Sequence, residues 1–241
     1  MKKIIYRSED SGKANYGWLD TKYSFSFANY YNPKMMNFGM LRVLNDDTVV
    51  PAMGFGTHPH DNMEIITLVL EGALEHKDSM GTGSVIYKDE VQVMSAGSGI
   101  THSEFNPSDK EAVKLIQLWI FPKEKNIKPR YDQKSFPISE RKNKLIPAVS
   151  GLNKEGSLYI HQDAEIYLGN FEKGKKVNYQ ISNPANGAYI LVVDGSLKVG
   201  DEELFSRDAI GISEVKDFEI EMIEDSNFLI IDVPMSWWYR D

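Results

Sequence analysis

The chain has 241 residues, no cysteine and a formal net charge of −8, with 35 acidic against 27 basic side chains. The lack of cysteine excludes disulfides, thiolate metal ligands and a cysteine nucleophile. The acidic balance disfavours direct nucleic-acid binding, which relies on a dense positive surface. No stretch approaches the ~18 apolar residues of a membrane span, and the amino terminus does not resemble a signal peptide, so we expect a cytoplasmic protein.

Short runs rich in valine, isoleucine and aromatic residues recur along the chain, separated by turns rich in glycine and serine. This pattern is typical of strands, and no long stretch keeps the apolar spacing of an amphipathic helix. We therefore predict an all-β fold, either a sandwich or a barrel. The clearest predicted strands are residues 63–70, 113–121, 188–195 and 227–234.

An internal repeat predicts two related halves. Residues 69–74 (VLEGAL) and 192–197 (VVDGSL) share the order apolar, apolar, acid, glycine, small, leucine. Similar segments follow at nearly the same spacing, at 88–93 and 207–212. We expect a first domain over residues 1–125 and a second over 165–241, with an exchange of terminal segments between them as an option.

The basic segment between the two halves, residues 126–164, is predicted to be a solvated linker. From 123 to 144 the chain carries eight Lys or Arg against three Asp or Glu. A basic lid or docking segment is the alternative. At the other end of the chain, Trp237 and Trp238 are expected to pack the tail across the first domain.

Three of the five histidines fall into two short polar clusters. His58 and His60 lie two residues apart in GFGTHPHDNMEI, and His102 lies two residues before Glu104 in GSGITHSEFN. Residues two apart on a strand point to the same side of a sheet, so both pairs could converge inside a barrel. Imidazole and carboxylate ligands without sulfur suit iron, manganese, nickel, copper or zinc. The spacing predicts a metal site.

Two features of this site stay open at the level of spacing. The carboxylate that completes the site could be Glu64, four residues after the first histidine pair, or Glu104. His76 and His161 lack such neighbours, and we interpret them as surface or structural residues. On the strand 113–121, one face carries Leu115, Gln117 and Trp119, and either face could line the barrel.

These motifs resemble those of the cupin superfamily and, more specifically, of the pirin family. His58-Pro-His60 followed by Glu64 and Gly72 is similar to the first cupin motif, and residues 97–106 (GSGITHSEFN) are similar to the second. HPHDNMEIITLVLEGALEHKDSMG followed by VMSAGSGITHSE resembles the pirin hallmark, and SFSFANYYNP resembles the amino-terminal region of that family. The resemblance implies a bicupin, with two jelly-roll-like β-barrels in one chain.

The resemblance also implies a ligand set. The metal ligands become His58, His60, His102 and Glu104, while Glu64 becomes a nearby polar residue that orients a ligand histidine. The implied cofactor is one divalent transition metal, Fe2+ first, with Mn, Ni, Cu, Co or Zn as alternatives. Residues 165–241 contain no histidine, so the second domain is expected to lack a metal site.

The function implied by the resemblance is that of a quercetin 2,3-dioxygenase. A flavonol would bind the metal through its 3-hydroxyl oxygen, Glu104 would accept the hydroxyl proton as general base, and cleavage with dioxygen would yield a depside and carbon monoxide. The alternatives are a redox-sensing regulator that binds a transcription factor or other protein, and a cupin acting on another small molecule. The partners are then a small aromatic substrate and dioxygen, and we expect a monomer.

Overall fold

The computed structural model describes residues 1–236, which form almost only β-strands and confirm the all-β prediction. The four clearest predicted strands are confirmed, with the bounds Glu64–Glu71, Val113–Ile120, Asn186–Asp194 and Ser226–Pro234. The helices within residues 1–236 are a 3-10 turn at Ser8–Asp10 and the short α1 at Ile138–Arg141. None of them has the length and apolar character needed to cross a membrane. The predicted packing of Trp237 and Trp238 lies outside the described residues.

The first barrel consists of two antiparallel sheets that hold most of the strands before residue 136. Its large sheet has seven strands, in the spatial order β12 (Arg130–Ser135), β9 (Glu90–Ser95), β6 (Glu64–Glu71), β11 (Val113–Ile120), β4 (Leu41–Val49), β3 (Leu19–Tyr23) and β2 (Gly12–Asn15). Its small sheet has four strands, in the order β5 (Gly54–His60), β10 (Ile100–Phe105), β7 (Ala73–Asp78) and β8 (Gly83–Tyr87).

The second barrel repeats this two-sheet plan. Its large sheet has six strands, in the order β1 (Lys2–Tyr6), β19 (Ala209–Ser213), β16 (Asn186–Asp194), β21 (Ser226–Pro234), β14 (Glu165–Phe171) and β13 (Lys144–Ser150). Its small sheet has four strands, in the order β15 (Lys176–Gln180), β20 (Asp217–Met222), β17 (Ser196–Val199) and β18 (Glu202–Phe205).

Two segments depart from a simple division of the chain. Strand β1, from the start of the chain, pairs with β19 in the second barrel. Residues 126–164 contribute β12 to the first barrel and β13 to the second. The segment that the sequence predicts to be a solvated linker therefore forms strands of the large sheets of both barrels.

The sequence repeat corresponds to a repeat of structure at two tight turns. Gly72 joins β6 to β7 with φ of 76°, and Gly195 joins β16 to β17 with φ of 87°. A Cβ atom at these positions would lie 3.0 Å from the carbonyl oxygen of Ala112 and 2.1 Å from that of Asp225. Both turns therefore need the left-handed conformation and the small size that glycine allows.

The two large sheets face each other and share a continuous hydrophobic core. On β6, Ile66 and Leu68 point into this shared core, whereas Ile65 and Val69 point into the first barrel. A strand buried on both faces reads as an unbroken apolar run, which explains the sequence MEIITLVL. The interior of the first barrel is thus separated by one sheet from the shared core.

Candidate metal centre

Three histidines converge inside the first barrel. His58 and His60 lie on β5, and His102 lies on the neighbouring antiparallel strand β10, directly opposite His58. One ring nitrogen from each lies within 4.8 Å of the others, and the ring centroids are 4.4–4.9 Å apart. The structure therefore brings together the three histidines that the sequence motifs grouped.

Hydrogen bonds determine which ring nitrogens are available. The Nδ1 of His58 lies 2.7 Å from the carbonyl oxygen of Gly56 and donates to it, which leaves Nε2 as the lone-pair nitrogen. The His102 side chain is buried, and its Nε2 has no hydrogen-bond partner among the described residues. A buried nitrogen without a partner, facing two further imidazoles, is a site that a divalent cation fits.

The histidines are also held in the form that binds metals. Burial, with the neighbouring His58 charge as a second cause, lowers the pKa of His60 to about 4. Burial and the charges of three neighbouring histidines lower the pKa of His102 to about 2. Both rings are therefore neutral at pH 7, so a metal would not have to displace a proton from either.

Glu104 lies beside His102 and forms a hydrogen-bonded chain with two side chains from β11. Gln117 Nε2 donates to both carboxylate oxygens of Glu104, at 3.2 and 3.0 Å, and Trp119 Nε1 donates to Gln117 Oε1 at 3.1 Å. A carboxylate oxygen of Glu104 lies within 4.8 Å of ring nitrogens of His76 and His102. Burial raises the pKa of Glu104, and the Gln117 hydrogen bonds oppose this rise.

Glu64 lies elsewhere. On β6 it shares the face of Ile66 and Leu68, which points into the core between the barrels, and its Oε2 accepts a 2.7 Å hydrogen bond from Ser95 Oγ. Burial raises the pKa of Glu64 to about 7. We therefore correct the expectation that Glu64 orients a ligand histidine.

His76 adjoins the site and is fully buried, so of its two interpretations, surface or structural, the first is wrong. It is fully buried on β7, its Nε2 lies 3.1 Å from Asp78 Oδ2, and its ring packs on Tyr131 with centroids 4.6 Å apart. The sequence holds a signal for this residue, because His76 and Asp78 have the same two-residue spacing as His102 and Glu104. His161 lies outside the cluster.

A cavity of about 190 Å³ adjoins His58, His60 and Glu104. Its walls contain four aromatic side chains, Tyr23, Phe27, Phe55 and Trp119, beside several polar ones. Three oxygens of its polar wall are buried and lack a hydrogen-bond partner among the described residues: Thr21 Oγ1, Asn45 Oδ1 and Asp47 Oδ1. Burial raises the pKa of Asp47 to about 7.

Gln117 and Trp119 face this cavity, so the face of β11 that lines the barrel is the one with Leu115.

Comparisons with known proteins place this site in context. The family model described as Pirin matches residues 6–120, and the model described as Quercetinase C-terminal cupin domain matches residues 148–233. The chain is 42% identical over 233 residues to the quercetin 2,3-dioxygenase of Escherichia coli (strain K12), covering 96% of this chain and 99% of that protein. It is 38% identical to a pirin-like protein of Caulobacter vibrioides, covering 92% and 95% of the two chains.

A solved structure extends the similarity to three dimensions. The crystal structure of a bacterial pirin from Escherichia coli in complex with nickel(II) superposes with a TM-score of 0.93 at 40% identity. The match covers 98% of this chain and 100% of that chain. Together with the histidine cluster, this similarity supports a site for a divalent metal in the first barrel.

Proposed function

The chain belongs to the pirin family, as its motifs predict, and we propose that it is a metal-dependent dioxygenase that cleaves flavonols such as quercetin. The observation that carries this proposal is the joint position of three histidines, one buried carboxylate and a cavity with four aromatic side chains in the first barrel. The products are a depside and carbon monoxide, which together account for the atoms of the flavonol and dioxygen.

The ligands we propose are His58, His60, His102 and Glu104. Three imidazoles and one carboxylate form a set of nitrogen and oxygen donors that suits Fe2+, and the same set accepts Mn, Ni, Cu, Co or Zn. A bound divalent ion supplies a positive charge that favours the ionised form of a coordinated hydroxyl group.

Glu104 is the proposed general base. Its carboxylate is buried next to the aromatic cavity, where a hydroxyl group of the substrate can reach it. Burial raises the pKa of Glu104, which favours uptake of a proton. Gln117 holds both oxygens of Glu104 in place, and Trp119 in turn holds Gln117. The carboxylate is thus positioned before the substrate arrives.

The cavity favours a flat aromatic ligand that carries hydroxyl groups. Aromatic walls provide apolar area and ring-to-ring contacts. The unpartnered oxygens of Thr21, Asn45 and Asp47 are acceptors, and phenolic hydroxyl groups are donors. We propose that these three residues bind the hydroxyl groups of the substrate at a distance from the reacting carbon atoms.

Oxygen uptake tests the proposal. Protein stripped of metal is reloaded separately with Fe2+, Mn2+, Ni2+, Cu2+ or Co2+, and dioxygen consumption and carbon monoxide release are measured with quercetin. We expect both with at least one metal, in equal amounts. Tight metal binding without oxygen uptake from any flavonol would contradict the dioxygenase and favour the regulatory alternative. The cytoplasmic location and the monomeric state stay predictions, and size-exclusion chromatography with light scattering checks the second.

A further inference from the structure

His76 and Asp78 form a buried pair that lies against His102, and the proposed reaction uses neither of them. Strands β7 and β10 are antiparallel neighbours, with Asp78 directly opposite His102 and His76 directly opposite Glu104. The side chains of His76 and Asp78 have no exposed area. Burying a histidine and a carboxylate costs free energy unless they interact with other groups, so their partners indicate their role.

Asp78 is fixed by the turn that follows β7. Its Oδ1 accepts hydrogen bonds from the backbone nitrogens of Met80, at 2.9 Å, and Thr82, at 3.0 Å. Its Oδ2 lies 3.1 Å from His76 Nε2. An ionised carboxylate only accepts hydrogen bonds, so the Nε2 of His76 must carry the hydrogen that it donates.

The position of that hydrogen determines the tautomer of the next ring. A neutral imidazole that donates from Nε2 has its lone pair on Nδ1. The Nδ1 of His76 lies 3.4 Å from the Nδ1 of His102, so a neutral His76 ring accepts there the hydrogen that His102 donates from Nδ1. The lone pair of His102 is then on Nε2, which is the buried nitrogen without a partner.

We propose that Asp78 and His76 are positioning residues that keep His102 in the Nδ1–H tautomer, with Nε2 directed to the metal. The inference rests on the metal site of the proposed function and is independent of the substrate. Carboxylates that orient a metal-bound histidine directly are common in metal sites. Here the carboxylate acts through a second imidazole.

Tyr131 completes the arrangement by fixing the plane of the His76 ring. The two rings lie 4.6 Å apart at an interplanar angle of 30°, and the Tyr131 hydroxyl donates to Gln133 Oε1 at 2.7 Å. Both nitrogens of His76 face a hydrogen-bond partner, Asp78 on one side and His102 on the other. His76 is therefore placed to support a ligand and has no nitrogen left to be one.

The substitution Asp78→Asn tests which atom donates the hydrogen in each contact between Asp78, His76 and His102. The side-chain oxygen of the introduced amide can still accept the backbone hydrogen bonds of the turn, while its NH2 group donates to His76 Nε2. His76 then carries its hydrogen on Nδ1 and donates to His102, which moves the hydrogen of His102 to Nε2. Nitrogen-15 NMR of histidine-labelled, metal-free protein should show this tautomer switch.

Metal affinity provides the second measurement. Removal of such outer partners typically weakens metal binding by about 10- to 100-fold, and we expect this loss for Co2+ in competition with a chelator. His76→Phe keeps an aromatic ring on Tyr131 but removes both nitrogens, and should cause a similar loss. Glu75→Gln is the matched control, because Glu75 lies on the same strand and pairs outward with Lys77 at 2.8 Å.

The outcomes separate this inference from the proposed function. A His102 ring that keeps Nδ1–H in the Asp78→Asn variant, with Co2+ affinity within twofold of the parent protein, would overturn it. A change in the coordination number of Co2+ in the His76→Phe variant, seen in the visible absorption spectrum, would make His76 a ligand and also overturn it. If the parent protein bound none of Fe2+, Mn2+, Ni2+, Cu2+ and Co2+, the proposed function would fail, and the NMR tautomers would still decide the inference.

Discussion

Two buried polar groups, Asp232 in the second barrel and His102 in the first, differ in their hydrogen-bond partners. In the second barrel, both oxygens of the buried Asp232 carboxylate accept hydrogen bonds, from the Tyr179 hydroxyl, the Ser182 backbone and hydroxyl, and the Asn186 amide. In the first barrel, the Nε2 of the buried His102 has no partner among the described residues. Each barrel combines one large and one small antiparallel sheet, but these two polar groups in their interiors differ.

This difference separates a structural network from a binding site. A buried polar group with all its partners stabilises one arrangement of the chain, whereas one without a partner costs free energy unless a ligand satisfies it. The comparison predicts that substitutions in the first barrel reduce ligand binding and activity, and that substitutions around Asp232 reduce stability. The predictions below test that division.

The largest expected effect is on activity, from His102→Ala. Loss of a ligand removes most of the several kcal/mol that a metal contributes to catalysis, which corresponds to a fall in oxygen uptake of about 10³-fold. His161→Ala is the control, because His161 is a partly buried histidine outside the cluster. Circular dichroism checks that both variants are folded. Oxygen uptake within tenfold of the parent protein would contradict the proposed site.

The next effect is on stability, from Asp232→Asn. An amide in place of the carboxylate directs an NH2 group at existing donors, and we expect the free energy of unfolding to fall by roughly 3 kcal/mol. Urea unfolding of the metal-free protein measures it, with the exposed Asp217→Asn as control. Oxygen uptake per folded molecule should stay unchanged. A selective loss of activity would show that the second barrel takes part in the reaction.

A pH-dependent effect is expected from Glu64→Gln. Burial raises the pKa of Glu64 from 4.5 to about 7 in the folded state. Folding therefore favours the protonated form, and the stability it contributes is complete below pH 4.5 and is lost as the pH rises through about 7. Glutamine stays neutral, so the variant should match the parent protein near pH 5 and exceed it by roughly 1–3 kcal/mol at pH 8.

Urea unfolding at the two pH values measures this difference, and Glu71→Gln, at the exposed end of the same strand, is the control. Co2+ affinity should stay within twofold of the parent protein, because Glu64 faces the core between the barrels. A loss of affinity restricted to the Glu64 variant would return Glu64 to the metal site.

The sequence predicts the strands and the histidine pairs because both depend on local alternation. His58 and His60 share a face of one strand, and that rule holds without knowledge of the rest of the fold. The rule does not extend to Glu64, because a turn with Asn62 at φ of 45° separates β5 from β6 and breaks the alternation. Only the resemblance to pirins distinguished Glu104 from Glu64.

The positions of His76 and of the basic segment could be determined only from the tertiary structure. His76 meets His102 through the pairing of β7 with β10, and the chain between these strands does not determine that pairing. The excess of lysine and arginine in 126–164 predicts exposure, and β12 satisfies it with half-exposed side chains at the edge of a sheet. A charged edge strand and a solvated linker have the same composition.

The smallest expected effect concerns substrate selection, from Asp47→Asn. At pH 8 the Asp47 carboxylate, with a pKa of about 7, is mostly ionised and accepts a charge-assisted hydrogen bond from a phenolic hydroxyl group. Replacing it by a neutral amide should cost about 1 kcal/mol, a roughly fivefold rise in KM for quercetin with kcat unchanged.

Asp46→Asn is the control, because Asp46 pairs with Arg207 at 2.6 Å on the opposite face of β4. A flavonol without hydroxyl groups on its outer rings should show the same KM with both variants and the parent protein. An unchanged KM for quercetin in the Asp47→Asn variant would indicate that water, not the substrate, satisfies the Asp47 oxygen. A buried polar atom without a protein partner would then identify metal ligands in this barrel, but not substrate contacts.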